Sequence, residues 1–460
     1  MTATATTENP ENPDNPDNPD NPDQTDDPDQ TDDPGTTATH HVRVLLLSNA
    51  IEHLAYRFTQ IALPLVVLRE FDSAAMAGVV GGLAGLPVVT SPWWARHLRQ
   101  RLGDGRGLAL VSLWQAGAVL VVPVALALGA LHPVMLALAG LAVGVSDALA
   151  SPGRTALLGD LGDRLGAGAA IRVITWDDAL RRGAMVVGPA LAGLGVQLGR
   201  IDALLWVEGI ALTVSALLVR RVVVPAATGS VASVAALPVG RASAPVVAGS
   251  SAPAPGILAS VRDHPDVLRG WVMRGTSCLL WFAFALGLAV EGERTGRAGA
   301  LYAAALTAYG LGSLVVTVAV ARRPPSARPL RLATVAWVGQ GLAFAAMAVW
   351  TTPVSVAVCA AAAGAVTVVG IRAMMQVLLA RTHGPARRAA LAGQSILVDV
   401  TVSVGMLVGG LVIDHVGPRP TLAVTGLVTA AVALLAGLTV RGVTVTSGPS
   451  TSVARGLDRA

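Results

Sequence analysis

Lysine is absent from this chain of 460 residues, so all 33 basic residues are arginines. Charged residues of either sign make up only 13% and aromatic residues 4%, against 53% hydrophobic residues and a mean hydropathy of +0.61. Each scarcity excludes something. So little charge excludes the surface of a soluble domain, where roughly a quarter of all residues are charged. The two cysteines, Cys278 and Cys359, both fall in apolar runs and support neither a disulfide framework nor a zinc site, so they read as packing residues. With no lysine there is no phosphate-binding Gly-x-x-x-x-Gly-Lys-Ser/Thr loop, which argues against ATP-driven transport by this chain. There is also no His-Glu-x-x-His and no paired Asp-rich motif for a magnesium diphosphate. No catalytic residues, cofactor or metal are expected, and the chain does not read as an enzyme.

What is present is apolar length. From Val42 onward about a dozen runs are long enough to cross a bilayer as helices: 43–68, 74–95, 107–130, 133–157, 169–198, 201–219, 270–290, 298–320, 330–350, 353–379, 389–413 and 420–440. The expected fold is therefore an all-α membrane protein with about twelve transmembrane helices. Residues 1–41 hold eleven acids, no arginine and repeated Asn-Pro-Asp triplets, which predicts a disordered acidic tail with no visible cleavable signal. Residues 222–269, rich in Ala, Pro, Ser and Gly, read as a mobile linker between an N-terminal six-helix bundle (42–221) and a C-terminal one (270–441). Residues 442–460 form a second tail.

Arginines cluster at one set of span ends, among them Arg96, Arg99, Arg101, Arg106, Arg164, Arg220, Arg323, Arg331 and Arg387. The opposite ends carry only Arg69, Arg200, Arg294, Arg297 and Arg419. The positive-inside rule then places both termini and the linker in the cytoplasm of a cell-membrane protein. Arginines distributed between apolar spans do not suit nucleic-acid binding.

The two halves repeat one another. Val187-Gly188-Pro189-Ala190-Leu191-Ala192-Gly193 in the fifth span matches Val404-Gly405-Met406-Leu407-Val408-Gly409-Gly410 in the eleventh, and Arg154 in the fourth sits at the offset of Arg372 in the tenth. Ala184, Gly188 and Ala192 share one helix face that lets a neighbour approach closely, and Pro189 frees a backbone carbonyl.

Charges inside spans are costly in lipid, about 2.5 to 3.5 kcal/mol each near a helix centre, so they are expected to line a polar interior. Glu52 in the first span is the leading candidate proton carrier, with a static pairing to Arg57 or His53 as the alternative. In the fifth span Asp177 with Arg181, and Asp178 with Arg182, have the i,i+4 spacing of ion pairs. Asp178 and Asp399, the latter at the repeat offset of Arg182, are further proton-carrying candidates. Asp147 and Arg372 complete the intramembrane set, with Arg57, Asp147, Asp177, Arg181, Arg182 and Arg372 as candidates for substrate contact or a charge network. Glu208 and Arg274 read as interfacial.

Several segments carry a resemblance. Gln60-Ile61-Ala62-Leu63-Pro64-Leu65, the run from Asp147 to Leu158 with its Ser151-Pro152-Gly153-Arg154, and Gly188-Pro189-Ala190-Leu191-Ala192-Gly193 are similar to segments of the major facilitator superfamily, in particular its bacterial twelve-span drug and macrolide exporters. The resemblance covers about residues 43–440. It implies two pseudo-symmetric six-helix bundles and an antiporter-type fifth span, in which Ala192 replaces the first of two paired glycines. Between spans two and three the superfamily usually has Gly-x-x-x-Asp-Arg-x-x-x-Arg as a gating latch. Here the glycine is Arg96 and the acid is Gln100, while Arg101 and Arg106 remain and Asp104 could stand in for the acid. Gating and helix packing are thus expected of Arg101, Asp104, Arg106, Arg154, Gly188, Pro189, Gly193, Gly405 and Gly410. The implied function is proton-coupled efflux of small amphipathic or hydrophobic compounds by a monomer in the lipid bilayer. A nutrient importer of the same fold and a non-transporting receptor are the alternatives.

Overall fold

The computed structural model describes residues 34–102, 104–166, 169–222, 264–297, 299–321 and 323–438. Most of the acidic tail, residues 223–263 of the expected linker, and the C-terminal tail lie outside the described residues. The chain forms helices α1 (Pro34–Phe71), α2 (Ala74–Arg101), α3 (Gly105–Ala127), α4 (Pro133–Arg164), α5 (Ala169–Gln197) and α6 (Ile201–Val219). A second series follows: α7 (Pro265–Arg294), α8 (Ala300–Ala321), α9 (Pro329–Val349), α10 (Pro353–Arg381), α11 (Gly384–Val416) and α12 (Pro418–Leu438).

Local chemistry sets the helix starts. Ser73, Asp104, His132 and Thr352 each cap a helix by accepting a backbone N–H, and α4, α7, α9, α10 and α11 begin with proline, whose missing N–H costs nothing in a first turn. The first helix begins earlier than expected. Pro34 opens it, and residues 34–41, assigned above to the disordered tail, are helical, with Ala38 and Val42 buried. Proline at 265 likewise starts α7 five residues inside the expected linker.

Ten of these helices are long and apolar enough to cross a membrane; α1 and α5 are not among them. Those two are membrane-length, at 38 and 29 residues, but carry the intramembrane charges. They pack against each other, and α1 also against α6. The charged helices thus shelter one another, while the outer faces expose Leu110, Val318, Val358 and Leu435, as expected for contact with lipid. The chain is a multi-pass membrane protein.

Two seams join the halves, and the repeated glycines build both. At Gly193 of α5 a Cβ would lie 2.5 Å from Ala303 Cβ of α8, and at Gly410 of α11 it would lie 2.2 Å from the Ala74 carbonyl oxygen of α2. Their repeat-mates work within each half: Gly188 lies against Arg57 of α1, and Gly405 against the Leu279 carbonyl of α7. The contact α5–α8 is therefore matched by α11–α2, and α5–α1 by α11–α7. Pro189 sits inside α5 without ending it.

The α7 helix is interrupted by a π-helical turn, Ala283–Gly287, wholly buried. Phe284 from this turn stacks on Phe344 at 5.1 Å, and Trp281 meets Tyr309 edge-on at 5.1 Å, filling the core beside the seams. Cys278 is buried and Cys359 half-buried, and both are free.

Candidate functional site: a five-helix charge network and an open cavity

The N-terminal half encloses a polar network that draws on five helices. Its centre is Arg154 of α4, 6% exposed. Arg154 Nη2 forms a short ion pair with Glu52 Oε1 and donates to Ser112 Oγ of α3 at 2.9 Å. Nη1 donates to Ser48 Oγ at 3.1 Å and to Asn49 Oδ1 at 2.7 Å. Glu52 Oε1 also accepts from Ser112 Oγ at 2.7 Å and from Ser215 Oγ of α6 at 3.1 Å. Asn49 Nδ2 extends the chain to Asp177 Oδ1 of α5 at 2.8 Å, and His53 Nε2 lies 3.5 Å from the same oxygen. Such a pair is tolerated in an apolar bundle because each charge has several hydrogen bonds besides its counter-ion.

This arrangement corrects several expectations. Glu52 pairs with Arg154, a residue assigned above to gating and packing, and not with Arg57 or His53. Arg57 instead donates to Gln60 Oε1 at 2.8 Å, lies over the Tyr56 ring at 5.4 Å, and lays its aliphatic stem in the notch at Gly188. Asp177 bonds to α1 rather than to Arg181. Asp178 takes both arginines, Arg181 in a short ion pair and Arg182 Nε at 2.8 Å, because one carboxylate reaches positions three and four residues on along the same face. Arg372 joins no charge network; it donates to the carbonyls of Val320 and Arg323, capping the end of α8. Arg274 is half-buried and sits 5.5 Å over the buried Trp337 ring, and Glu208 is fully buried inside the bundle.

Beyond the network, solvent reaches polar side chains of both halves, Tyr56 and Asp147 in one and Asp399 in the other. Asp147 lies two turns before Arg154 on the same face of α4 and is exposed. It feels the charges of Glu52, His53 and Arg181 from its own half, and Asp399 of α11 from the other half feels Asp147. Tyr56, 44% exposed, senses both acids. The structure thus brings Tyr56, Arg57, Asp147, Arg181 and Asp399, from both halves, within electrostatic reach of one another.

At the arginine-poor end the halves are bonded together. Asp414, at the end of α11, accepts from Ala74 N at 2.9 Å, Ala75 N at 2.8 Å and Ser73 Oγ at 3.3 Å. A carboxylate from one half thereby caps the first turn of α2 in the other, where unpaired N–H groups and the helix dipole favour negative charge. Tyr302 OH of α8 adds a 3.4 Å bond to the Gln60 carbonyl of α1. At the arginine-rich end the bonds described stay within halves: Asp266 with Arg269 and Arg381, and Arg99 Nε with the Ala148 carbonyl. Asp104 does not serve as an inter-half latch; it caps its own α3, accepting from Gly107 N at 2.8 Å. Arg101 and Arg106 beside it are exposed, and the Arg96 and Gln100 side chains lie outside what is described.

Sequence reasoning missed Asp414, read only as part of a turn, and the hydroxyls of Ser48, Ser112 and Ser215. Ser48 and Glu52 did carry a signal, since polar residues four apart within an apolar helix mark one buried face.

No protein-family model and no curated protein matches the chain. Solved structures do match. The nucleoside transporter NupG superposes with a TM-score of 0.62 at 12% identity, covering 87% of this chain and all of that one. The chain has the major facilitator fold. A bacterial homologue of the human lysosomal transporter Spinster, solved inward-facing and unoccupied, gives 0.59 at 12% identity over 87% of this chain and 97% of that one. A POT family transporter in complex with a thioalcohol-conjugated peptide gives 0.58 at 12% identity over 86% and 95%. At such identity the likeness carries the major facilitator fold and no substrate.

Proposed function

We propose that the chain is a secondary transporter that exports small amphipathic or hydrophobic compounds by proton-coupled alternating access, the two six-helix halves rocking about the cavity between them. One arrangement supports this above the rest. Acids from opposite halves, Asp147 and Asp399, lie within electrostatic reach of one another, and the bonds described between the halves lie at the arginine-poor end. In this reading the positive-inside orientation makes the present conformation inward-facing, with protons exchanging at Asp147 and Asp399. Glu52 stays with Arg154 until α1 moves, and Arg57 and Arg181 set the field at the substrate. The lipid bilayer is its solvent and the monomer its working unit.

Accumulation of a panel of amphipathic dyes and macrolides in everted vesicles, with and without a proton gradient, tests the reading. Gradient-driven accumulation is expected, and Asp399→Asn is expected to abolish it; flux that ignores the gradient, or none across the panel, rejects it. A second reading is import of a polar metabolite. It draws on the charges that both halves contribute, and on the structural neighbours, a nucleoside transporter and a POT family transporter in complex with a peptide conjugate. Uptake into right-side-out vesicles separates it from the first.

A further inference from the structure

Glu208 stands apart from the charge network. It lies in the middle of α6, two turns before Ser215 on the face that packs against α1, and is 0% exposed. Neither carboxyl oxygen has a partner at full hydrogen-bond distance. The Thr59 hydroxyl of α1, two turns beyond Glu52, faces it closely enough to act on it as a weak donor and has no other partner, so one neutral hydroxyl is all that the carboxyl meets. From α3 the space is filled by Leu120, packed against Gly209. Among the described residues no arginine, lysine or histidine acts on Glu208; the titratable side chain that senses it is Tyr56 of α1, which also senses Asp147 and Asp399 in the cavity.

A carboxylate without counter-ion, met by one hydroxyl, is not sustainable in such a place, because burying an unpaired charge costs several kcal/mol even after the protein relaxes. A carboxylic acid that keeps its proton avoids that cost. We propose that Glu208 carries a proton in this conformation and is a proton-binding site of the transport cycle, one helix behind the cavity. Thr59 and Tyr56 are the hydroxyls between Glu208 and the cavity acids. Release breaks the Glu208 O–H bond and forms one on the Asp147 carboxylate, so that one acid and one carboxylate exchange roles with no other reactant. The proton site stands on burial and the missing counter-ion; its part in the cycle rests on the proton-coupled reading above.

Infrared spectroscopy of the full chain in proteoliposomes at neutral pH is the test, because a protonated acid has a carbonyl band that a carboxylate lacks. The wild type is expected to show a band that Glu208→Gln loses and Glu208→Asp shifts. Spectra in which all three proteins agree would overturn the assignment. After an alkaline jump, Thr59→Val and Tyr56→Phe are expected to keep the band and slow its decay; decay at the wild-type rate in both overturns the relay. If the band is present but ethidium accumulation in everted vesicles ignores the proton gradient, the coupled reading fails while the proton on Glu208 stands.

Discussion

The two ends of the molecule are built on opposite principles. At the arginine-poor end the halves are bonded together: Asp414 caps α2, and Gly193 and Gly410 let backbones from different halves approach until no Cβ would fit. At the arginine-rich end charge is abundant but spent within each half, on Asp266 with Arg381, on Arg372 with the end of α8, and on Asp104 with its own helix. The acid that commonly latches that end in the superfamily is Gln100 here. The contrast teaches that net charge at an end does not close it. One carboxylate placed at a helix start does more than many arginines already engaged with their neighbours.

Breaking the tight seam is expected to have the largest effect. Gly410→Val places carbon against the Ala74 carbonyl, and backbone cannot move aside as a flexible side chain can. Substrate exchange in proteoliposomes is expected to be lost, and exchange at the wild-type rate would show that the α2–α11 seam need not close. Next comes the network behind the open end. Arg154→Ala strands the half-buried Glu52 with only its serine donors, at a cost below the roughly 3 to 5 kcal/mol of a fully buried pair, read as a lowered unfolding midpoint. Glu52→Gln added to it is expected to recover part of the loss; an additive double variant would mean the two residues are not coupled. Asp414→Asn removes the charge from the start of α2 and is expected to shift the balance between conformations by about 0.3 to 1 kcal/mol, seen as faster labelling of a cysteine at Ser73 in a protein lacking Cys278 and Cys359. The smallest effect is expected from Gln100→Asp, which restores an acid to the arginine-rich end and should slow labelling of a cysteine at His97.

The sequence made the framework legible because lipid imposes a simple rule on helix length and composition. Span order, the matching of Gly188 with Gly405 and of Gly193 with Gly410, and the set-apart character of the first and fifth helices all follow from local pattern. Partnerships did not. Glu52 and Arg154 are 102 residues apart, and nothing local says which of several arginines a buried acid will meet. The i,i+4 rule placed Asp178 with Arg182 correctly but gave Asp177 to Arg181, since it is blind to Asn49 and His53 on α1. Glu208 was assigned to an interface from its place along the chain, whereas its burial depends on how α6 packs against α1 and α3.

The central claim is that the halves rock, so that one end opens as the other closes. Distances between spin labels at Glu70 and Val416 report the arginine-poor end, and labels at His97 and His383 report the other; all four positions are exposed. Measured by double electron–electron resonance in the wild type and in Asp414→Asn, the first distance is predicted to lengthen and the second to shorten in the variant. Two distances that change in the same sense, or a first distance that lengthens while the second stays fixed, would contradict the account.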